Sequence, residues 1–153
     1  TTLVSQMVAA YELTNGMFDP TTLPQTLLNG YQVSRVDSAR TTRLPQTARW
    51  PGDVAGIRVD VINRTVTLPE GTTLDAGGIG KGLSADLGIE FAFSRGVTGA
   101  LISANGDVRV AGDAPDGDLW RVGIEHPLNR DLEIDQLSFR EGAVVTSSRV
   151  HNM

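Results

Sequence analysis

The sequence predicts an α+β fold with a mostly antiparallel sheet and one long helix that follows a glycine-rich loop. Three observations carry this. The elements run helix, strands, long helix, then at least four strands joined by short turns, which is not the alternating order of a doubly wound sheet. Asn105-Gly106 stands between two apolar or alternating runs, the strongest short hairpin signal. From Ile79 the apolar residues Ile79, Leu83, Leu87 and Phe91 fall at successive i+4 positions until Gly96, a helical pattern.

The elements follow in order. Residues 2–13 read as an amphipathic helix, with Leu3, Met7, Ala10 and Tyr11 at helical spacing. Asn15-Gly16 ends it, because glycine tolerates the left-handed cap. Pro20 pushes Asp19 out of the helical region, so 17–20 is a turn or extended element. Residues 23–28 suggest a short helix. Residues 30–51 are polar and arginine-rich, surface structure with one or two short elements. Runs 57–60 and 66–68 read as strands with Asn63-Arg64 as a tight connection. Strands are expected at 100–103, 108–110, 119–125, 134–139 and 143–146, with Pro127 ending the third of these.

Composition excludes several classes. The chain has 153 residues, 40% apolar and 20% charged, ordinary for a folded domain. The net charge of −5 and scattered basic residues argue against nucleic acid; Arg35, Arg40, Arg43 and Arg49 come closest to a patch and read as a solvated loop. No apolar run reaches the roughly 20 residues that span a bilayer. With no cysteine, disulfides and thiolate chemistry are excluded. The chain opens mid-pattern and stops at HNM, so the expected organisation is one partial domain over 1–153, cut at both ends. The compartment stays open.

The segment Leu74 to Gly88, LDAGGIGKGLSADLG, carries the clearest chemistry. Glycines at a helix start leave backbone N–H groups open to a ligand, and the helix end favours an anion such as phosphate. Lys81 adds a full charge. A tight turn or close helix packing would read the same way. The Walker pattern fails, since Asp75 holds the first glycine position and Gly82 follows Lys81. Gly80, Gly82 and Ala85 match a dinucleotide fingerprint in form, without the preceding apolar strand. Asp75 suits a helix N-cap or a ligand-facing carboxylate. Asp86 suits a solvated helix face. Asp19 suits a turn, or with Phe18 a flat heteroaromatic ligand. The acidic turn 113–118 fails the calcium-loop pattern. His126 and His151 do not pair at metal-binding spacing, and no complete catalytic constellation appears.

Several segments together resemble the ApbE family of FAD:protein FMN transferases, flavin-handling enzymes of bacteria. TNGMFDPT at 14–21 matches T-x-G-x-F-D-P-T, and LDAGGIGKGLSAD at 74–86 matches L-D-x-G-G-I-x-K-G with its later aspartate. NGDVRVAG at 105–112, WRVGIEHP at 120–127 and AVVTSS at 143–148 match three further motifs in family order. Asn105 and Ser148 each replace a family glycine.

The resemblance implies an ApbE-like fold and a magnesium-dependent transfer of FMN from FAD to a threonine of a target protein, with release of AMP. It implies that Met17, Phe18 and Asp19 contact the flavin, that Asp75 and Lys81 lie at the FAD site, and that Thr146 sits in a strand lining it. It places a backbone carbonyl ligand for Mg2+ at Gly78. The family's catalytic histidine, in H-x-x-D-P-x-T-G, and its side-chain magnesium ligands, in A-D-x-x-x-T, would fall beyond Met153; neither motif is in these residues. Alternatives are a non-catalytic FAD-binding module, a fragment inactive alone, or a structural glycine loop in an interaction protein. Family members are often extracytoplasmic lipoproteins, but no lipobox is present here.

Overall fold

The computed structural model describes residues 1–33, 37 and 39–147. Arg35, Ser148 and His151 lie outside the described residues. The chain divides into two compact units, Thr1–Gly80 and Lys81–Met153.

The first unit opens with helix α1, Thr2–Leu13. Its side chains are mostly good helix formers, and it buries Met7. Asn15 and Gly16 take left-handed φ values of 50° and 80°, and the Gly16 N–H closes the end on the Tyr11 carbonyl at 2.8 Å. Helix α2, Leu23–Leu28, has Pro24 in its first turn, where no helical N–H is lost. It buries Pro24 and Leu27. Val54 and Ile57 are also buried in this unit; a fully buried side chain of this kind contributes about 1.5–3 kcal/mol.

Strands β1, Arg58–Asp60, and β2, Thr65–Thr67, pair antiparallel. The expected two-residue connection is instead the loop 61–64. Asp60 accounts for the longer turn: its carboxylate accepts from the Asn63 N–H and side-chain amide at 2.9 and 2.7 Å. Between Gly30 and Pro51 one isolated bridge, Val33 to Thr41, appears among the described residues. Arg40, Arg43 and Arg49 are exposed.

Helix α3, Gly80–Ser94, runs 15 residues. Its buried positions are Ala85 and Ile89, while Leu87 and Phe91 are exposed. The predicted i+4 face is therefore corrected. Each i+4 step advances about 40° around a helix, so Ile79 and Phe91 stand about 120° apart. Ala85 and Ile89 supply the packed side instead, and Gly88 lies where a Cβ would strike the end of the Ile102 side chain.

In the second unit, β3, Gly99–Ala104, and β4, Asp107–Gly112, form the hairpin that Asn105-Gly106 predicts. Both turn residues have positive φ, 56° and 90°, as a type I′ turn requires. Strand β7, Gly142–Val144, pairs with β4 and completes a three-stranded sheet. Strands β5, Trp120–His126, and β6, Asn129–Phe139, make a separate hairpin turned at Pro127 and Leu128. Each of these pairs is antiparallel. Val110, Ala114, Trp120 and Val122 form the core, with Val108, Phe139 and Val144 against it. The Trp120 indole N–H donates to the Gly112 carbonyl at 2.9 Å. No described helix is long and apolar enough to cross a membrane.

Candidate functional site

In the first unit, residues 14–21 and 74–78 are brought together by their own polar groups. The Thr14 hydroxyl donates to the Ala10 carbonyl at 2.8 Å and accepts from the Phe18 N–H at 2.9 Å. The α1 end thereby aims the loop that follows. Asp19 Oδ1 accepts from the Thr21 N–H and hydroxyl, both at 2.7 Å, and Oδ2 accepts from the Trp50 indole at 3.1 Å. Pro20 and Thr21 are fully buried beneath this turn.

Asp75 joins the two segments. Its N–H donates to the Pro20 carbonyl at 2.8 Å. Its Oδ1 accepts from the Gly77 N–H and its Oδ2 from the Thr26 hydroxyl, each at 2.8 Å. The glycine turn then closes on Ala76, whose carbonyl accepts from Gly80 at 2.8 Å. α3 starts at Gly80, so Asp75 is not its N-cap. The carboxylate caps the turn ahead of the helix and ties it to α2. At Gly78 a Cβ would lie 3.0 Å from the Phe18 ring, so glycine allows the loop to approach that ring. On the first turn of α3, Gly82 has nothing within 4 Å of where a Cβ would be, and its backbone stands open.

The second unit holds a charged set of its own. Lys81 pairs with Asp107 at 2.5 Å. Arg109 bridges α3 and the sheet, donating to Asp86 at 3.0 Å, to Glu141 at 2.8 Å and to the Gly142 carbonyl at 3.3 Å, and contacting the Val110 carbonyl. Hydrogen bonds donated to Glu141, ahead of the one to Asp86, hold the guanidinium above its usual value. Asp86 is thus exposed, as expected of a helix face, and also paired. A narrow cleft of about 70 Å³ lies among Lys81, Gly82, Asp107 and Arg109.

A family model described as the ApbE family matches residues 1–153. The chain belongs to that family. It is 26% identical over 141 residues to an FAD:protein FMN transferase of Vibrio cholerae serotype O1, covering 92% of this chain and 40% of that protein. The crystal structure of the ApbE protein from Thermotoga maritima MSB8 is similar with a TM-score of 0.70 at 28% identity, covering 95% of this chain and 48% of that one. The apo flavinyl transferase ApbE of Pseudomonas stutzeri has a similar fold, with a TM-score of 0.64 at 24% identity, covering 91% and 43%. The chain spans about half the length or less of these relatives.

Within this ApbE chain the residues expected at the site divide by unit. Phe18, Asp19, Asp75 and Gly78 come together in the first. Met17 beside them is 92% exposed, an apolar side chain with its face open. Lys81 falls in the second, with its ammonium on Asp107. The strand expected to carry Thr146 is corrected: β7 ends at Val144, and Thr146 is exposed past it. Val108 pairs with Val144, so continuing the register would set Thr146 opposite the Gly106 turn, where β4 has run out. His126 is structural, its Nδ1 accepting from the Leu128 N–H at 3.1 Å. Thr26, Trp50 and Asp107 were not singled out from sequence. The first two act on carboxylates 49 and 31 residues away. Asp107, inside the NGDVRVAG motif, carried the one available signal.

The described residues hold no group of three His, Asp or Glu side chains able to bind a metal. Asp19 and Asp75 already receive protein donors on both oxygens. By themselves these residues do not fit a complete magnesium site.

Proposed function

We propose that this chain is the FAD-holding part of a flavin transferase that moves FMN from FAD to a threonine of a target protein. The observation that carries this reading is the Asp75 junction, which fixes the DAGG turn against the FDPT turn beside Phe18. It is supported by membership of the ApbE family and by the activity in the name of the Vibrio cholerae relative.

In the transfer, the threonine Oγ forms a bond to the FMN phosphorus, the bond from that phosphorus to the AMP oxygen breaks, and AMP leaves. The hydroxyl proton passes to a base, for which the ApbE resemblance offers a histidine outside these 153 residues. The chain's own contribution is to bind and orient. Met17 and Phe18 present apolar surface to the flavin, and Asp19 holds their turn. Asp75 shapes the loop that carries Gly78 and leads to Lys81, and Lys81 and Thr146 are assigned to the cofactor. Magnesium, when bound, would offset charge on the phosphoryl oxygens, and the Gly78 carbonyl is the group this chain would offer it.

A second reading is an FAD-binding module without catalysis, which needs only the turns that the Asp75 junction holds together. FAD titration followed by flavin fluorescence, with and without Mg2+, separates the two. The transferase reading predicts binding that tightens with Mg2+; tight binding indifferent to the metal supports the module. The isolated chain should not transfer FMN to a threonine peptide, and turnover by it would contradict this division of labour.

A further inference from the structure

We infer that Trp50 is an aromatic platform for a flat heteroaromatic ring of the dinucleotide, an inference that rests on the FAD-binding reading above. The chain has two tryptophans. Trp120 is 9% exposed and belongs to the core of its unit. Trp50 is 46% exposed, yet it is not loosely held.

Its indole N–H is anchored on Asp19 Oδ2 at 3.1 Å, the carboxylate that also shapes the FDPT turn. The backbone on either side is stitched down. Arg49 N–H donates to the Gly71 carbonyl at 3.0 Å. Gly52 N–H donates to the Thr21 hydroxyl at 2.9 Å, and Asp53 N–H to the Thr72 hydroxyl at 3.0 Å. Both hydroxyls belong to buried threonines. At Gly52 a Cβ would come within 2.9 to 3.0 Å of the Thr21 and Thr72 side chains, so only glycine permits this approach.

An indole fixed by its polar edge with its apolar surface open has little conformational entropy left to lose on binding. Such a surface suits a π-face, and aromatic stacking of bases is a sequence-tolerant source of affinity. The Asp19 bond ties the ring to the turn that follows Met17 and Phe18, the segment assigned to the flavin. FAD offers two flat rings, isoalloxazine and adenine, and either has the required chemistry.

The test is titration of the full chain and its Trp50→Ala and Trp50→Phe variants with FAD, FMN and ADP, read by flavin fluorescence and by tryptophan quenching. Trp50→Ala should weaken FAD about tenfold and abolish most of the quenching, since only buried Trp120 remains. Trp50→Phe keeps a ring and should weaken FAD about threefold or less. A loss confined to FMN assigns the flavin ring; a loss confined to ADP assigns adenine. Urea midpoints within error of the unsubstituted chain establish that the variants are folded. FAD binding by folded Trp50→Ala within twofold of the unsubstituted chain would overturn the inference. If the unsubstituted chain binds no FAD, the functional reading itself fails, a distinct result.

Discussion

Replacing Asp75 by alanine removes two hydrogen bonds at one stroke, those from Gly77 and Thr26 at 2.8 Å each. Bonds to a charged acceptor contribute about 1.5–3 kcal/mol when sheltered. Two features reduce that here. Gly77 is exposed, so water can take over its N–H. The Thr26 hydroxyl lies 3.1 Å from the Thr22 carbonyl and can turn to it. The expected loss is therefore about 2 kcal/mol, against about 1 kcal/mol for a simple N-cap. Asp75→Asn keeps the acceptor for Gly77 and should cost less than about 1 kcal/mol. Urea unfolding with an unchanged m-value measures both. A double-mutant cycle with Thr26→Val should show a coupling of about 1 kcal/mol. Zero coupling, or equal losses for the alanine and asparagine variants, would refute the assignment of the Asp75 carboxylate as the tie between the glycine turn and α2.

Other positions give independent checks. Gly99→Ala drives a Cβ into the Asp113 backbone, which cannot yield as a side-chain end does; a loss of about 3 kcal/mol is expected in urea, and a loss under 1 would contradict the β3–β4 geometry. Gly88→Ala meets only the tip of Ile102, so it should cost about 1 kcal/mol and be relieved by Ile102→Val. Asp116 is held below its ordinary value by a hydrogen bond from Arg121. A depressed folded pKa stabilises above the unfolded pKa and is lost as pH falls through the folded one. The small advantage of the native chain over Asp116→Asn should thus be present at neutral pH, disappear in acid below the usual carboxylate range, and shrink with added salt. An advantage that grows on acidification would reverse this assignment.

What the sequence made legible was mostly local. Asn15-Gly16 and Asn105-Gly106 act through their own backbone preferences, so the end of α1 and the β3–β4 hairpin could be placed directly. Strand β6 was harder. It begins at Asn129 rather than Ile134; residues 131–135 do alternate polar and apolar, but all five are exposed, and Asn129 and Arg130 carry no apolar residue to mark the strand's start. The packed side of α3 was misread because a run of large apolar residues outweighed Ala85 and Ile89, the buried pair, and Gly88, where the Ile102 side chain leaves no room for a Cβ.

The candidate site divides along the same line. Phe18, Asp19, Asp75 and Gly78 lie in segments with recognisable spelling, and the structure unites them. Thr26 and Trp50 escaped notice because a hydroxyl on a short helix and an indole in an arginine-rich stretch have no local signature. Their roles exist only once the chain has folded distant segments together. Thr146 was carried over from a motif, whereas pairing with β4 decides where β7 stops.

Whether the two turns and the Trp50 segment hold FAD can be read from amide hydrogen exchange of the chain with and without FAD, followed by mass spectrometry. Slowed exchange is expected in peptides covering 14–21 and 74–82, with 49–53 alongside them. Saturating FAD that leaves those peptides unchanged, or protects only the β5–β6 hairpin, would show that these segments do not hold FAD.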